Sequence, residues 1–149
     1  AFNKTRVATN KIVRNRMGNS DSLLVPGDRV MCLRNNRKFG VFNGMQGIVK
    51  DYRKKYSRHT MEFESYGNNF YDVSYEPKQF NLEKTIPIES KDDPIPFDYA
   101  YCATAHKFQG SEADTVMVFE QKCKMWSHIR WAYTVASRAK IKVLWVTGM

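Results

Sequence analysis

The 149 residues carry 24 Lys/Arg against 15 Asp/Glu, a formal net charge of +9, and 42% hydrophobic residues, enough for one substantial core or two small ones. Cys32, Cys102 and Cys123 are odd in number and widely spaced, without a CxxC, and His59, His106 and His128 lie far apart, so neither a disulfide scaffold nor a local metal motif is expected. No apolar run approaches the roughly 18 residues of a membrane span and no charged-then-apolar leader opens the chain. The expectation is a soluble, cytoplasmic protein with reduced thiols and no membrane partner.

The charge is uneven. Residues 1–58 hold 14 Lys/Arg against 3 Asp/Glu, residues 59–98 hold 3 against 9, and residues 99–149 hold 7 against 3. A positive surface this concentrated favours a polyanion, nucleic acid first and an acidic membrane second, against a merely solubilising surface. Tyrosines interleave the cations of "KDYRKKYSRH" (50–59), where rings could stack on bases.

Taken in chain order, "FNKTRVATNKIVRNR" (2–16) reads as a short basic helix with Ala8 and Ile12 one turn apart, stopped by Gly18-Asn19. Opening at Ala1 without an initiator methionine, it reads as a segment of something longer. Pro26-Gly27 then turns into a strand from about Arg29 to Leu33. Asn43-Gly44 marks a tight turn before a strand that begins around Ile48-Val49. In "TMEFES", Met61 and Phe63 alternate with Glu62 and Glu64, and "FYDVSY" is expected to put Tyr71, Val73 and Tyr75 on one face. Four or five short strands joined by glycine turns predict a small barrel of the SH3-like or OB kind.

The proline-bearing acidic stretch "IPIESKDDPIPF" (86–97) reads as a connector to a second unit. There "FDYAYCATA" is a buried strand, "AHKFQGSEA" a loop, "DTVMVFE" (114–120) a strand, "WSHIRWAYTVASRAK" a helix apolar on most of its circumference, and "KVLWVTG" a last strand. That order predicts an α/β unit with a mostly parallel, covered sheet, and it sets the loop where ligands of open α/β sheets bind.

"AHKFQGSEADTVMVFE" followed by "RWAYTVASRAKIKVLWV" resembles motifs V and VI of superfamily 1 helicases, especially the RecD-like and Dda-like branch. "GDRVMCLRNNRKFGVFNGMQGIV" resembles the stretch that opens that family's SH3-like insert, the 2B domain. The first residues look like the segment entering it, so the likeness covers nearly the whole chain. The fold it implies is the α/β second lobe of a RecA-like P-loop NTPase, interrupted by a small SH3-like β-barrel. The lobe would begin over 1–23, the insert would occupy 24–89, and the rest of the lobe, with motifs V and VI, would occupy 90–149.

The resemblance also implies roles. Arg138 would be the arginine that reaches the nucleotide, and a guanidinium offers phosphate oxygens a planar fork that a lysine does not match. Thr104, His106 and Lys107 would contact the nucleic-acid backbone, while Gln109, Gly110 and Glu112 would lie towards the nucleotide. His106 could instead cap a helical turn, Glu112 could pair with a neighbouring cation, and Lys140 is expected to face solvent. Arg34, Arg37, Lys38, Arg53, Lys54 and Lys55 are candidate phosphate contacts. Phe39, Phe42 and Tyr52 are open between strand contact and core, with the core favoured for Phe42. The family's motif IV arginine would precede this segment, so Arg6 is not given that role.

Neither a GxxxxGK[ST] loop nor an apolar strand ending in Asp-Glu occurs. The implied protein is therefore the C-terminal part of an ATP-dependent DNA helicase, 5′ to 3′ on single-stranded DNA, inactive alone. In the complete protein ATP and Mg²⁺ would be cofactors and the N-terminal RecA-like lobe the partner, in the interior of a bacterial or phage-infected cell. Nuclease or other replication and recombination proteins are further candidate partners. The alternatives are a helicase-subunit fragment of an exodeoxyribonuclease V-type complex and a non-catalytic nucleic-acid-binding module.

Overall fold

A computed structural model describes residues 2–19, 23–90, 94–122 and 127–147. The expected basic helix is present as α1 (Asn3–Arg16), yet its buried stripe is Arg6, Asn10 and Arg14, each four residues from the next. Ala8 is exposed and Ile12 is 53% exposed, so the apolar pair faces outward. The inversion has a cause in what α1 packs on, which is a set of buried carboxylates and backbone carbonyls. Arg14 meets Asp28 through both ends of its fork, Nε to Oδ1 at 3.1 Å and Nη2 to Oδ2 at 3.0 Å, and Nη2 also donates to the Leu23 carbonyl at 2.8 Å. Its guanidinium carbon lies 4.1 Å from the centre of the Tyr99 ring. Arg6 pairs with Asp98 and donates to the Leu82 carbonyl at 2.6 Å.

Five strands follow: β1 (Arg29–Cys32), β2 (Gln46–Lys55), β3 (Arg58–Ser65), β4 (Asn68–Ser74) and β5 (Phe97–Tyr99). They form one antiparallel sheet in the order β4-β3-β2-β1-β5. Its two edges meet at Ile95, whose N–H donates to the Ser74 carbonyl and whose carbonyl accepts from Glu76 N–H, both at 3.0 Å. The sheet thus curls back on itself around Val30, Val49, Met61, Phe63, Val73, Tyr75, Ile95, Phe97 and Tyr99. Phe63 stacks on Phe70 at 4.9 Å and meets Phe97 edge-on at 5.6 Å. Gly47 lies under the Phe63 ring, where a Cβ would collide with it.

Two expectations change here. Tyr71 does not share a face with Val73 and Tyr75. A bulge between the Met61↔Val73 and Phe63↔Phe70 pairs, with Asp72 at φ 50, sends Phe70 inward and Tyr71 outward. The strand anticipated at the start of the α/β unit is β5, and it pairs antiparallel with β1 (Val30↔Tyr99). The end of the acidic connector supplies Ile95 and Phe97 to the sheet's core, so the antiparallel unit takes residues from beyond 89.

The remaining strands, β6 (Ala113–Phe119) and β7 (Ala139–Val146), are parallel and are joined through helix α2 (His128–Ala136). Their small core is Ala105, Val118, Trp131 and Val135. Instead of a mostly parallel covered sheet there is a two-stranded parallel pair, with Ile141 79% exposed and α2 presenting Ile129 and Tyr133 to solvent. Of the cysteines, Cys32 and Cys102 are free thiols, and Cys123 lies outside the described residues. Among the described residues, no helix is long and apolar enough to cross a membrane.

Because Arg14→Ala leaves Asp28 buried without its partner, urea denaturation should register a loss of about 3–5 kcal/mol. A loss below about 1 kcal/mol, the range of an exposed pair, would mean that the pair does not anchor α1.

Candidate nucleic-acid interface

The loop after β5 is a pair of tight turns. Thr104 opens it, its carbonyl accepting from Phe108 N–H at 3.0 Å and its hydroxyl from Lys107 N–H at 3.4 Å. Gln109 N–H reaches the His106 carbonyl at 3.4 Å and Ser111 N–H the Phe108 carbonyl at 3.1 Å. Gly110 reverses the chain at φ +87, a conformation that suits glycine. The side-chain cap is thus Thr104, and His106 is exposed. Lys107 is half-buried. Burial, then the charge of Arg6, push its ammonium below the usual lysine range, against the attraction of Asp98 and Cys32. Glu112 pairs with Lys140 at 3.3 Å with both side chains 58% exposed, so the carboxylate does have a neighbouring cation.

A second motif packs against this loop. Asn36 and Val41 form a backbone bridge, the Asn35 carboxamide accepts from Asn43 N–H at 2.7 Å, and Gly44 turns the chain at φ +87. A Cβ on Gly44 would stand 3.3 Å from the Lys107 carbonyl, and the Ser111 hydroxyl lies 3.5 Å from the Gly44 carbonyl. "VFNG" and "HKFQG", more than 60 residues apart, are therefore one surface. Phe42, expected in the core, is 51% exposed on it, because the bridge at Val41 turns that residue inward and its neighbour out. Phe39 and Tyr52 are partly buried against the core. Arg37 and Lys38 are exposed and Arg34 is half-buried; the Arg34 carbonyl accepts from the Cys32 thiol at 2.9 Å.

Arg53, Lys54 and Lys55 are not part of this surface. They end β2, whose start is Gln46, and at about 3.3 Å per residue they lie about 23–30 Å from that start along the strand. Arg53 is engaged with Asp51 at 3.4 Å and Glu62 at 3.1 Å. Lys54 and Lys55 have no carboxylate partner among the described residues, and they directly precede Tyr56, which is 89% exposed at the hairpin tip.

Arg138 follows the C-cap of α2. Its carbonyl accepts from Ala113 N–H at 3.0 Å, its Nη2 reaches the Ser137 hydroxyl at 3.1 Å, and its buried Nε has no acceptor among the described residues. Gln109, Gly110 and Glu112 lead into β6 and Arg138 into β7, so these four gather at the amino ends of the parallel pair. The carboxyl-end crevice typical of open α/β sheets is therefore not where they lie.

Sequence reasoning missed Asn10 and the Arg6–Asp98 pair. The available signal was an asparagine, a poor helix former, set midway between arginines at i−4 and i+4.

Residues 99–146 match the UvrD-like helicase C-terminal domain model. That match covers about a third of the chain, and the chain as a whole has a sheet-dominated α/β fold similar to the corresponding part of Pif1 helicases. Pif1 from Bacteroides in complex with ADP-AlF3 and single-stranded DNA aligns with a TM-score of 0.56 and 18% identity over 95% of this chain and 38% of that one. Bacteroides Pif1 bound to single-stranded DNA aligns at 0.51 and 21% over 85% of this chain and 30% of that one. A structure of two coordinating Pif1 helicases at forked double-stranded DNA aligns at 0.53 and 21%, covering 85% and 28%. The chain thus spans about a third of the length of these helicases. Comparison with the curated proteins gives no match by sequence.

Burial pushes the Cys32 thiol up to about 11, from an ordinary value of 9.0. At pH 8 the folded chain should therefore be alkylated at Cys32 by iodoacetamide roughly 100-fold more slowly than the unfolded chain, read by peptide mapping. Equal rates would mean that the strand beside Arg34 opens freely.

Proposed function

We propose that the chain is the second RecA-like lobe, with its SH3-like insert, of an ATP-dependent superfamily 1 DNA helicase that moves 5′ to 3′ on single-stranded DNA. The observation that carries this is the packing of the Gly44 turn on the Lys107 loop. It sets the segment that carries the exposed Phe42 against the loop that carries Thr104, His106 and Lys107, and Arg37 and Lys38 are exposed a few residues before Phe42, which supports a reading of cations for phosphates with a ring for a base. Arg34 stands at the margin of this surface. The Lys54–Lys55 tip is a separate contact, and Arg53 is the weakest candidate because two carboxylates already hold it.

In the complete protein ATP with Mg²⁺ would supply the phosphoryl chemistry, held by the N-terminal lobe. This chain's part is the guanidinium of Arg138, supported by its unmet buried Nε, together with Gln109, Gly110 and Glu112 beside it. The Pif1 complexes with DNA and with ADP-AlF3 are consistent with the same two ligand classes.

Oligo-dT affinity should fall with salt at a slope of about −0.7 per phosphate neutralised, and the triple variant Arg34→Ala, Arg37→Ala, Lys38→Ala should flatten it by up to about 2. An unchanged slope removes these residues from the interface.

In the complete two-lobe protein, Arg138→Ala should reduce DNA-stimulated ATP turnover by about 10³ to 10⁵ while nucleotide and DNA binding persist, and Arg138→Lys should restore little. Turnover within about tenfold of the parent would overturn its role as the arginine that reaches the nucleotide.

A further inference from the structure

We infer that Asn10 is a positioning residue: from α1 it sets the path of the chain from β5 into the Thr104–Ser111 loop, and so the presentation of His106 and Lys107 to nucleic acid. The inference rests on the reading of that loop as a nucleic-acid contact.

Asn10 is fully buried in the middle of α1, where an apolar residue or alanine would serve a helix better. Its entire carboxamide is directed to one short segment. Oδ1 accepts from Cys102 N–H at 2.7 Å, and Nδ2 donates to the Tyr99 carbonyl at 3.0 Å and to the Cys102 carbonyl at 3.3 Å. The last ladder bond of the sheet in this region is Ala100 N–H to the Arg29 carbonyl at 2.9 Å. Past it the backbone of Cys102 is held by Asn10 of α1. Two residues later Thr104 begins the turns that carry His106 and Lys107. One helical turn before Asn10, Arg6 holds Asp98 at the other side of Tyr99, and its charge bears on Lys107.

Only a side chain that both donates and accepts can make this set of bonds. Aspartate keeps the acceptor for Cys102 N–H and loses both donations, and leucine, of similar size, loses everything. A residue that merely stabilised α1 would weaken the whole molecule evenly. A positioning residue loosens residues 102–111 first.

The test uses the 149-residue chain with Asn10→Leu and Asn10→Asp. Amide hydrogen exchange over residues 102–111 is expected to speed up about tenfold or more, the size of one unmet buried hydrogen bond, while β2 and β3 amides change little. Oligo-dT affinity is expected to fall by about tenfold, and the same substitutions on a Lys107→Ala background should add little. Exchange that rises evenly across α1, β2, β3 and the loop, or that leaves 102–111 unchanged, overturns the inference. So does a loss of affinity that adds fully to that of Lys107→Ala. Should Asn10→Leu fail to fold, Asn10→Asp carries the same readouts. Should the parent chain fail to bind oligo-dT at all, the nucleic-acid reading of the loop falls and with it this role, and a localised change in exchange would then report a structural tether alone.

Discussion

The polar stripe of α1 is the constraint on which the rest of the architecture depends. Arg6, Asn10 and Arg14 enter a region where water is excluded, and each must find its partner there because an unmatched charge or amide in a low-dielectric interior is severely penalised. The geometry leaves one solution, with Arg14 on Asp28, Arg6 on Asp98 and Asn10 on the carbonyls and amide of 99–102. An apolar stripe could slide or rotate by a fraction of a turn at little penalty, whereas a guanidinium gripping both oxygens of a carboxylate cannot. Asp28 is further tied down by Val25 N–H at 2.9 Å and the Tyr101 hydroxyl at 2.8 Å. The helix, the turn before β1 and the exit from β5 are consequently fixed as one body.

This arrangement also explains which parts of the fold could be read from the amino acids and which could not. The strands were accessible because Asn43-Gly44 and the other glycine turns are local turn chemistry, and because the Met61/Phe63 alternation matches a pleated strand. The helix was accessible by its length and not by its face. Hydrophobic periodicity assumes that apolar residues point inward, and in α1 the interior partners are charged. Tyr71 failed for a different reason, since one extra residue at Asp72 reverses every side chain that precedes it, and nothing in "FYDVSY" announces the insertion.

For the candidate site, the local half was readable. "HKFQG" is a compact loop, and Thr104, Gly110 and Ser111 do there what their chemistry allows. The non-local half was not. That Gly44 would press against the Lys107 backbone, that Arg53 would be claimed by Asp51 and Glu62, and that Arg53, Lys54 and Lys55 would stand at the far end of β2, about 23–30 Å from its start, are consequences of strand register. Charge counted along the sequence treats these cations as one cluster; the sheet separates them. Phe42 belongs to the same lesson, since its exposure follows from the Asn36–Val41 bridge rather than from its own hydrophobicity.

The pairing of β1 with β5 has an evolutionary consequence. Val30 faces Tyr99, so the points at which the chain enters and leaves the antiparallel unit stand one strand spacing apart, about 4.8 Å. A polypeptide interrupted at such a point would be asked to bridge almost no gap, and the antiparallel unit has its own aromatic core. If it is the insert proposed above, such a unit would behave as a cassette. It can be acquired, lengthened at the Tyr56 and Tyr66 tips, or exchanged between relatives by recombination without altering the geometry of the host, so long as the seam of Asp28, Asp98 and their arginines is kept. Divergence among related chains should accordingly concentrate in the hairpin tips and be least at that seam.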